Sequence, residues 1–292
     1  MIGPADVPLG NMLNNPVFME MRLPRVLLGY ATGATLSVCG AVFQVLLKNS
    51  LASPDVMGVS SGAALGAVCA IRFGIQIPLG AGAFLGSALA IGLIQAAGAA
   101  TQRRNPSGEG LMLAGVAASF LFGSLNMIIQ YSGGYSDSFR MMRWASGGIQ
   151  IIGWDPLLPA LITLGGTLLV CRFFLQDLKL IRCGTLLAQS RGVPVQSVRL
   201  ILFSLISLAV ASSVSICGPI GFVGLFGPHM ARMTGARGEG EVLFASTMIG
   251  GSMLTLCDVA ARTLWAPSEI PVGIITSGVG ALFFLWLLLR RS

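Results

Sequence analysis

The chain has 292 residues, of which 54% are hydrophobic and only 10% are charged. A soluble domain carries about 25% charged residues, so this composition excludes an ordinary soluble protein and predicts an integral membrane protein. The net charge of +7 does not indicate nucleic-acid binding, because the basic residues are not clustered with aromatic ones. The 39 glycines are far above average usage and predict helices that pack closely in lipid.

The apolar runs predict a single all-α transmembrane domain over residues 1–292 with about nine spans, since a spanning helix needs about 20 apolar residues. Residues 1–21 contain three prolines and are interpreted as an extramembrane segment, and residues 133–149 as a short interfacial helix. The predicted spans are residues 26–47, 56–73, 78–100, 110–132, 154–175, 196–217, the glycine-rich and interrupted segment 218–232, 241–265 and 271–289.

Residues 176–199 form the longest polar stretch between two apolar runs. Apolar residues recur in it at helical spacing, Gly184 and Gly192 divide it, and Pro194 restarts a helix. We expect two short amphipathic helices outside the membrane that form a docking surface, with a solvated loop as the alternative. Twelve of the 18 lysines and arginines fall on the side of this stretch, which predicts that this side is cytoplasmic and that the N-terminus lies outside.

Several kinds of chemistry are not supported by the sequence. No GxxxxGK[ST] motif surrounds Lys48 or Lys179, so the chain does not bind ATP by that route. The single histidine and six cysteines without a CxxC pair predict neither a metal site nor a cofactor.

Two alternative functions have some support. Residues 58–62 match GxSxG, which would make Ser60 the nucleophile and His229 the base of an intramembrane hydrolase, although small residues at a helix contact explain the same pattern. Asp258 and Arg262 lie deep in a predicted span at i, i+4 and could serve an ion-coupled transporter or channel. A structural pair is the favoured interpretation of these two residues.

Five motifs resemble the membrane permease subunits of type II ABC importers, which take up cobalamin, ferric siderophores and haem. They are RLPR (22–25), KNSLASPDVMGVSSGAALG (48–66), LMLAGVA (111–117), GPIGFVGLFGPHMAR (218–232) and EIPVGIITSGVGALFFLWLL (269–288). The resemblance covers residues 22–291. It implies a ten-span family fold whose first span has no counterpart here, because only the loop that follows that span, roughly residues 3–21, is present.

The resemblance also implies partners and a mechanism. It predicts a permease homodimer, two cytoplasmic ATP-binding subunits and a periplasmic or lipid-anchored substrate-binding protein in a bacterial or archaeal inner membrane. The permease would be no enzyme itself, and ATP hydrolysis on the partner subunits would drive alternating access for an iron chelate or cobalamin.

The same resemblance assigns three groups of residues. The ATPase-coupling loop is expected to use Leu178, Ile181, Arg182, Gly184, Thr185, Ala188, Arg191, Gly192 and Pro194. Docking of the binding protein is expected at Arg22, Arg25 and Arg262, and the substrate path at Asn126, Gln130, Tyr131, Arg140, Ile274 and Ser277. Thr185 departs from the family pattern, which has an acidic residue at that position.

Overall fold

A computed structural model describes residues 15–102, 109–149, 153–266 and 268–291, and all regular structure in these ranges is helical. The all-α prediction is therefore confirmed. After a π-helical turn at Val17–Arg22, the helices are α1 (Leu23–Leu46), α2 (Val59–Arg72), α3 (Leu79–Gln102), α4 (Glu109–Ser132), α5 (Tyr135–Ala145), α6 (Leu157–Phe173), α7 (Leu175–Cys183), α8 (Thr185–Ser190), α9 (Val195–Cys217), α10 (Val223–Met233), α11 (Glu239–Thr263) and α12 (Val272–Arg291).

Fewer helices than predicted are long enough to cross a membrane. Six of the described helices pass by length and hydropathy, and α6 with α7 forms a pair bent by 59° that could make a seventh span. The count of nine is not confirmed. Helices α2 and α10 have 14 and 11 residues, or about 21 and about 17 Å, against a hydrocarbon core of about 30 Å.

The interruption predicted in the glycine-rich segment 218–232 is present. Helix α9 ends at Cys217, the backbone at Gly218 has φ +69°, and Phe222 at the start of α10 has φ +67°. Left-handed backbone cannot continue an α-helix of L-residues, so the chain turns here before α10 begins.

Glycines set the spacing of the helices, as the composition predicted. A Cβ added to Gly33 of α1 would lie 2.4 Å from the Gly250 carbonyl oxygen of α11, and one added to Gly66 of α2 would lie 2.0 Å from the Gly82 carbonyl oxygen of α3. These backbones are too close for any side chain, which is the small-residue packing expected of helices in lipid.

The bundle has two distinct ends. Lys48, after α1, contacts Thr185 of α8, and Arg182 of α7 binds Glu239 at the start of α11. At the opposite end Arg25 near the start of α1 binds Asp258 near the end of α11. Helices α1 and α11 are therefore antiparallel, and the two predicted amphipathic helices, α7 and α8, lie together at one end.

The described part of the N-terminal segment is helical, although residues 1–21 were interpreted as extramembrane. Residues 1–14 lie outside the described residues, whereas Val17–Arg22 is helical and runs directly into α1. The first long helix thus begins within the stretch that was assigned to an extramembrane segment.

Candidate functional site

Helices α7 and α8 are attached to the bundle by one set of side chains and expose another. Leu178, Ile181 and Ala188 are at most 1% exposed and anchor the two helices against the core. Leu186 is 82% exposed and Leu187 is 46% exposed. The sequence suggested that Leu178, Ile181, Leu186 and Leu187 share one apolar side, but the structure turns the first two inward and the last two outward.

The remaining residues of the predicted coupling loop lie on this surface. Arg191, Gly192 and Pro194 are exposed, and Thr185 accepts a hydrogen bond from the Lys48 ammonium at 2.6 Å. Gly184 between α7 and α8 has φ +151°, and Gly192 after α8 has φ +82°. Both glycines adopt backbone conformations that L-residues disfavour, which explains why the two short helices meet where glycine occurs.

The three arginines expected at the docking surface lie together at the opposite end. Arg25 donates to Asp258 at 2.8 Å and to Glu269 at 3.2 Å. Arg262 forms an ion pair with the Asp258 carboxylate at 3.1 Å and donates a hydrogen bond to the Asp258 backbone oxygen at 3.3 Å. Asp258 is 2% exposed, and all three arginines are largely buried. The predicted Asp258–Arg262 pair forms, while the contact with Arg25, 233 residues away in the chain, was not anticipated. A role in docking stays a prediction.

Replacing Asp258 with alanine should destabilise the protein by about 3–5 kcal/mol, because it would leave two largely buried guanidinium groups without their shared carboxylate. Thermal unfolding of the purified protein measures this loss. Glu269→Ala is the matched control, since Glu269 is 38% exposed and an exposed pair contributes at most about 1 kcal/mol. Equal losses in the two variants would contradict the proposed role of Asp258.

Part of the predicted substrate path lines one polar cavity. Asn126 of α4 and Ile274 and Ser277 of α12 surround a space of about 530 Å³. Asn126 is 7% exposed, and its amide donates to the Ser61 carbonyl oxygen at 3.2 Å. This polar cavity is completed by Asp55, Ser60, Ser61, Ala64, Ala145, Ser146, Pro219, Gly221 and Gly273.

Asp55 is the ionisable residue of the polar cavity, and sequence analysis missed it. Its carboxylate accepts the Ser60 hydroxyl at 3.0 Å and a backbone N–H at Phe222, so it joins the segment before α2 to the turn before α10. Burial raises the pKa of Asp55 to about 6, although both hydrogen bonds oppose the shift. The hydrolase alternative loses support, because Ser60 bonds Asp55 and His229 lines a separate cavity.

The raised pKa of Asp55 makes the stability of the protein depend on pH. The native carboxyl group binds its proton more tightly than the unfolded one, so its contribution to stability is complete below about pH 4 and is lost as pH rises through about 6. Between pH 5 and pH 7.5 the melting temperature of the wild type should fall relative to that of Asp55→Asn. Parallel melting profiles across this range would rule out the assigned titration.

The other predicted path residues lie elsewhere. Arg140 lines a second cavity of about 400 Å³ with Arg143 and Trp144, and Tyr131 is 94% exposed at the end of α4. The Gln130 carbonyl oxygen accepts the Ser138 hydroxyl and so joins α4 to α5. Three of the six predicted residues thus share the polar cavity and three do not.

Comparison with known proteins assigns this arrangement to a family. The model of the FecCD transport family matches residues 1–290. The chain belongs to the FecCD transport family. The motif-based identification is therefore confirmed, and the protein is the permease subunit of a type II ABC importer.

Relatives of this FecCD-family permease match it almost end to end. The hemin transport system permease protein HmuU of Yersinia pestis is 35% identical, over 94% of this chain and 84% of the relative. The vitamin B12 import system permease protein BtuC of Escherichia coli (strain SE11) is also 35% identical, over 100% of this chain and 88% of the relative.

A solved structure shares the fold. The inward-facing conformation of a metal-chelate type ABC transporter superposes with a TM-score of 0.85 at 28% identity, over 99% of this chain and 93% of that one. These relatives are transport subunits, which confirms that the chain is not itself an enzyme. Its apolar helices and its bacterial relatives identify a multi-pass inner-membrane protein.

Proposed function

We propose that this FecCD-family permease imports one of three cargoes, which are a ferric siderophore, haem and cobalamin. The observation that carries the proposal is the nearly complete match to relatives named for hemin and vitamin B12 at the same identity. An ion-coupled transporter that works without an ATPase is not favoured by this family membership. Asp258, a buried acid of α11, binds two arginines and so has a structural role.

A homodimer would place the cargo path between two copies of the chain. The polar cavity lies between α2, α4 and α12, and the last two helices expose large apolar side chains such as Met127 at 74% and Leu282 at 69%. Part of this apolar surface would contact the second copy and part would contact lipid. Asn126, Ile274 and Ser277 would then line the path from each subunit.

Partner ATPases would attach at α7 and α8. Leu178 and Ile181 are buried against the bundle, so a movement of α7 would move the helices that they contact. Leu186 and Arg191 are exposed and would provide apolar and charged contacts for an ATPase. Closure of the ATPases on ATP would move these two helices and switch the polar cavity between the two sides of the membrane, which is alternating access.

The substrate-binding protein would dock at the opposite end, near Arg22, Arg25 and Arg262. Arg25 and Arg262 already bind carboxylates of their own chain, so an acidic partner would compete with Glu269, the more exposed of those carboxylates. Such a contact between charges strengthens at low salt and favours fast, reversible docking.

Uptake assays with several cargoes test the proposal. Proteoliposomes that contain the permease, its ATPase and its binding protein would be given ATP and labelled hemin, cobalamin or a ferric siderophore. We expect one of these compounds to accumulate, and an Asn126→Leu variant to transport it more slowly with unchanged ATPase assembly. The proposed cargo class would be contradicted if ATP drove the uptake of none of these three compounds.

A further inference from the structure

A cavity at the α7–α8 end has an unusual excess of positive charge. It encloses about 580 Å³ and is lined by Gln44, Val45, Lys48, Asn49, Ser50, Arg182, His229, Arg232 and Met233. We call it the basic cavity. Three of these residues are cationic and none is acidic, and it is separate from the polar cavity that the proposed path uses.

The fixed charges around the basic cavity are only partly balanced. Glu239, which is 3% exposed, binds Arg182 from outside the lining. Burial lowers the pKa of Arg232, the charge of Arg182 lowers that pKa further, and Glu239 only partly opposes the shift. The cavity therefore keeps an excess of positive charge that an anion would offset.

A buried amide group forms part of the wall of the basic cavity. Gln44 is 5% exposed, and its side-chain oxygen accepts a hydrogen bond from Arg232. This bond fixes the orientation of the amide, since only oxygen can accept from a guanidinium group. The Gln44 Nε2 group is left buried, with no hydrogen-bond partner among the described residues. Gln44 therefore holds the Arg232 guanidinium group in place at the wall of the basic cavity.

The backbone places the third cation by adopting a strained conformation. Lys48 has φ +51°, which is uncommon for a residue with a side chain. Its ammonium group reaches Thr185 at 2.6 Å and so lies between α1 and α8. Positive-φ residues other than glycine persist where the surrounding structure requires them and are enriched at functional sites.

We propose that the basic cavity binds a phosphate-type oxyanion, supplied either as inorganic phosphate or as the phosphate group of an anionic lipid. Arginine and lysine are the side chains that bind such an oxyanion in proteins. A bound phosphate would join α1, α7 and α10 through Lys48, Arg182 and Arg232, next to the surface assigned to the ATPases. The inference does not depend on the identity of the imported cargo.

Binding measurements on the purified full-length permease in neutral detergent test the proposal. Radiolabelled inorganic phosphate would be titrated at constant ionic strength, and native mass spectrometry would compare phosphatidylglycerol with phosphatidylcholine. We expect phosphate or phosphatidylglycerol to bind the wild type, and Arg232→Gln and Lys48→Gln to weaken that binding about tenfold, or about 1.4 kcal/mol. Binding of the lipid alone, with the same response to the variants, identifies the headgroup as the source.

Lys179→Gln is the matched control, because Lys179 is an exposed lysine of α7 that does not line the cavity. It removes the same charge at the same end of the bundle and should leave binding unchanged. Lys48→Gln changes an exposed side chain, so it keeps the test valid if Arg232→Gln fails to fold. Absence of binding by both phosphate and phosphatidylglycerol, or equal weakening in Lys48→Gln and Lys179→Gln, overturns the proposal. Uptake assays do not enter this test, so its failure would leave the proposed transport function untouched.

Discussion

Replacing both Gly184 and Gly192 with valine should lower the rate of ATP-driven uptake by about tenfold or more, which corresponds to about 1.4 kcal/mol of activation free energy, while the partner ATPases continue to hydrolyse ATP. Both glycines have φ in the range that side chains disfavour, +151° and +82°. Valine at each position costs about 1–3 kcal/mol in the present conformation, so the links on either side of α8 would rearrange. Uptake and phosphate release are measured together in proteoliposomes that contain the full complex.

Gly74→Val is the control for backbone strain alone. Gly74 follows α2 near the other end of the bundle, has φ +60°, and has open space where a Cβ would lie. It should carry a similar backbone penalty without disturbing α7 or α8, and its uptake should stay close to that of the wild type. Wild-type uptake by the double variant would reject the assignment of α7 and α8 as the coupling surface.

Replacing Gly40 with leucine should prevent the permease from accumulating in a folded form. A Cβ at Gly40 would lie 1.8 Å from the Gly224 carbonyl oxygen, and that contact is with backbone that cannot rotate away. Overpacking of an ordinary core costs about 1–3 kcal/mol. Here α10 would have to move away from α1, so the loss should exceed that range. Size-exclusion chromatography of the detergent-extracted protein measures the folded fraction.

Gly92→Leu is the control for Gly40→Leu. It shows whether the loss of folded protein comes from the close packing at Gly40 or from the replacement of any helical glycine. Gly92 lies in α3 with no atom within 4 Å of an added Cβ, and it is exposed. Leucine favours helix more than glycine by nearly 1 kcal/mol, so this variant should fold at least as well as the wild type. Equal yields of folded Gly40→Leu and Gly92→Leu protein would show that the α1–α10 contact is not as close as described.

The features that sequence analysis predicted well are local ones. Two short helices at 176–199 followed from apolar spacing and from Gly184 and Gly192, and the break after Cys217 followed from glycine and proline. The count of nine spans is not confirmed, because hydropathy does not distinguish a full crossing from a helix such as α2, which is apolar but has only 14 residues.

The contacts that sequence analysis missed join residues far apart in the chain. The i, i+4 spacing suggested Asp258 and Arg262, but it could not show that Arg25 binds the same carboxylate from α1. Asp55 looked like an ordinary turn residue, and its role depends on the Phe222 backbone 167 residues later. A local signal did exist, since Ser60 lies five residues after Asp55 at the start of α2 and bonds it.

We expect this permease to be moved by separate ATPase subunits. Uptake of the identified cargo would be compared in proteoliposomes with the permease and binding protein alone, under a proton or sodium gradient, and in proteoliposomes that also contain the ATPase and ATP. We predict accumulation only in the second preparation. Cargo accumulation in the first, driven by the ion gradient without ATP, would contradict the account.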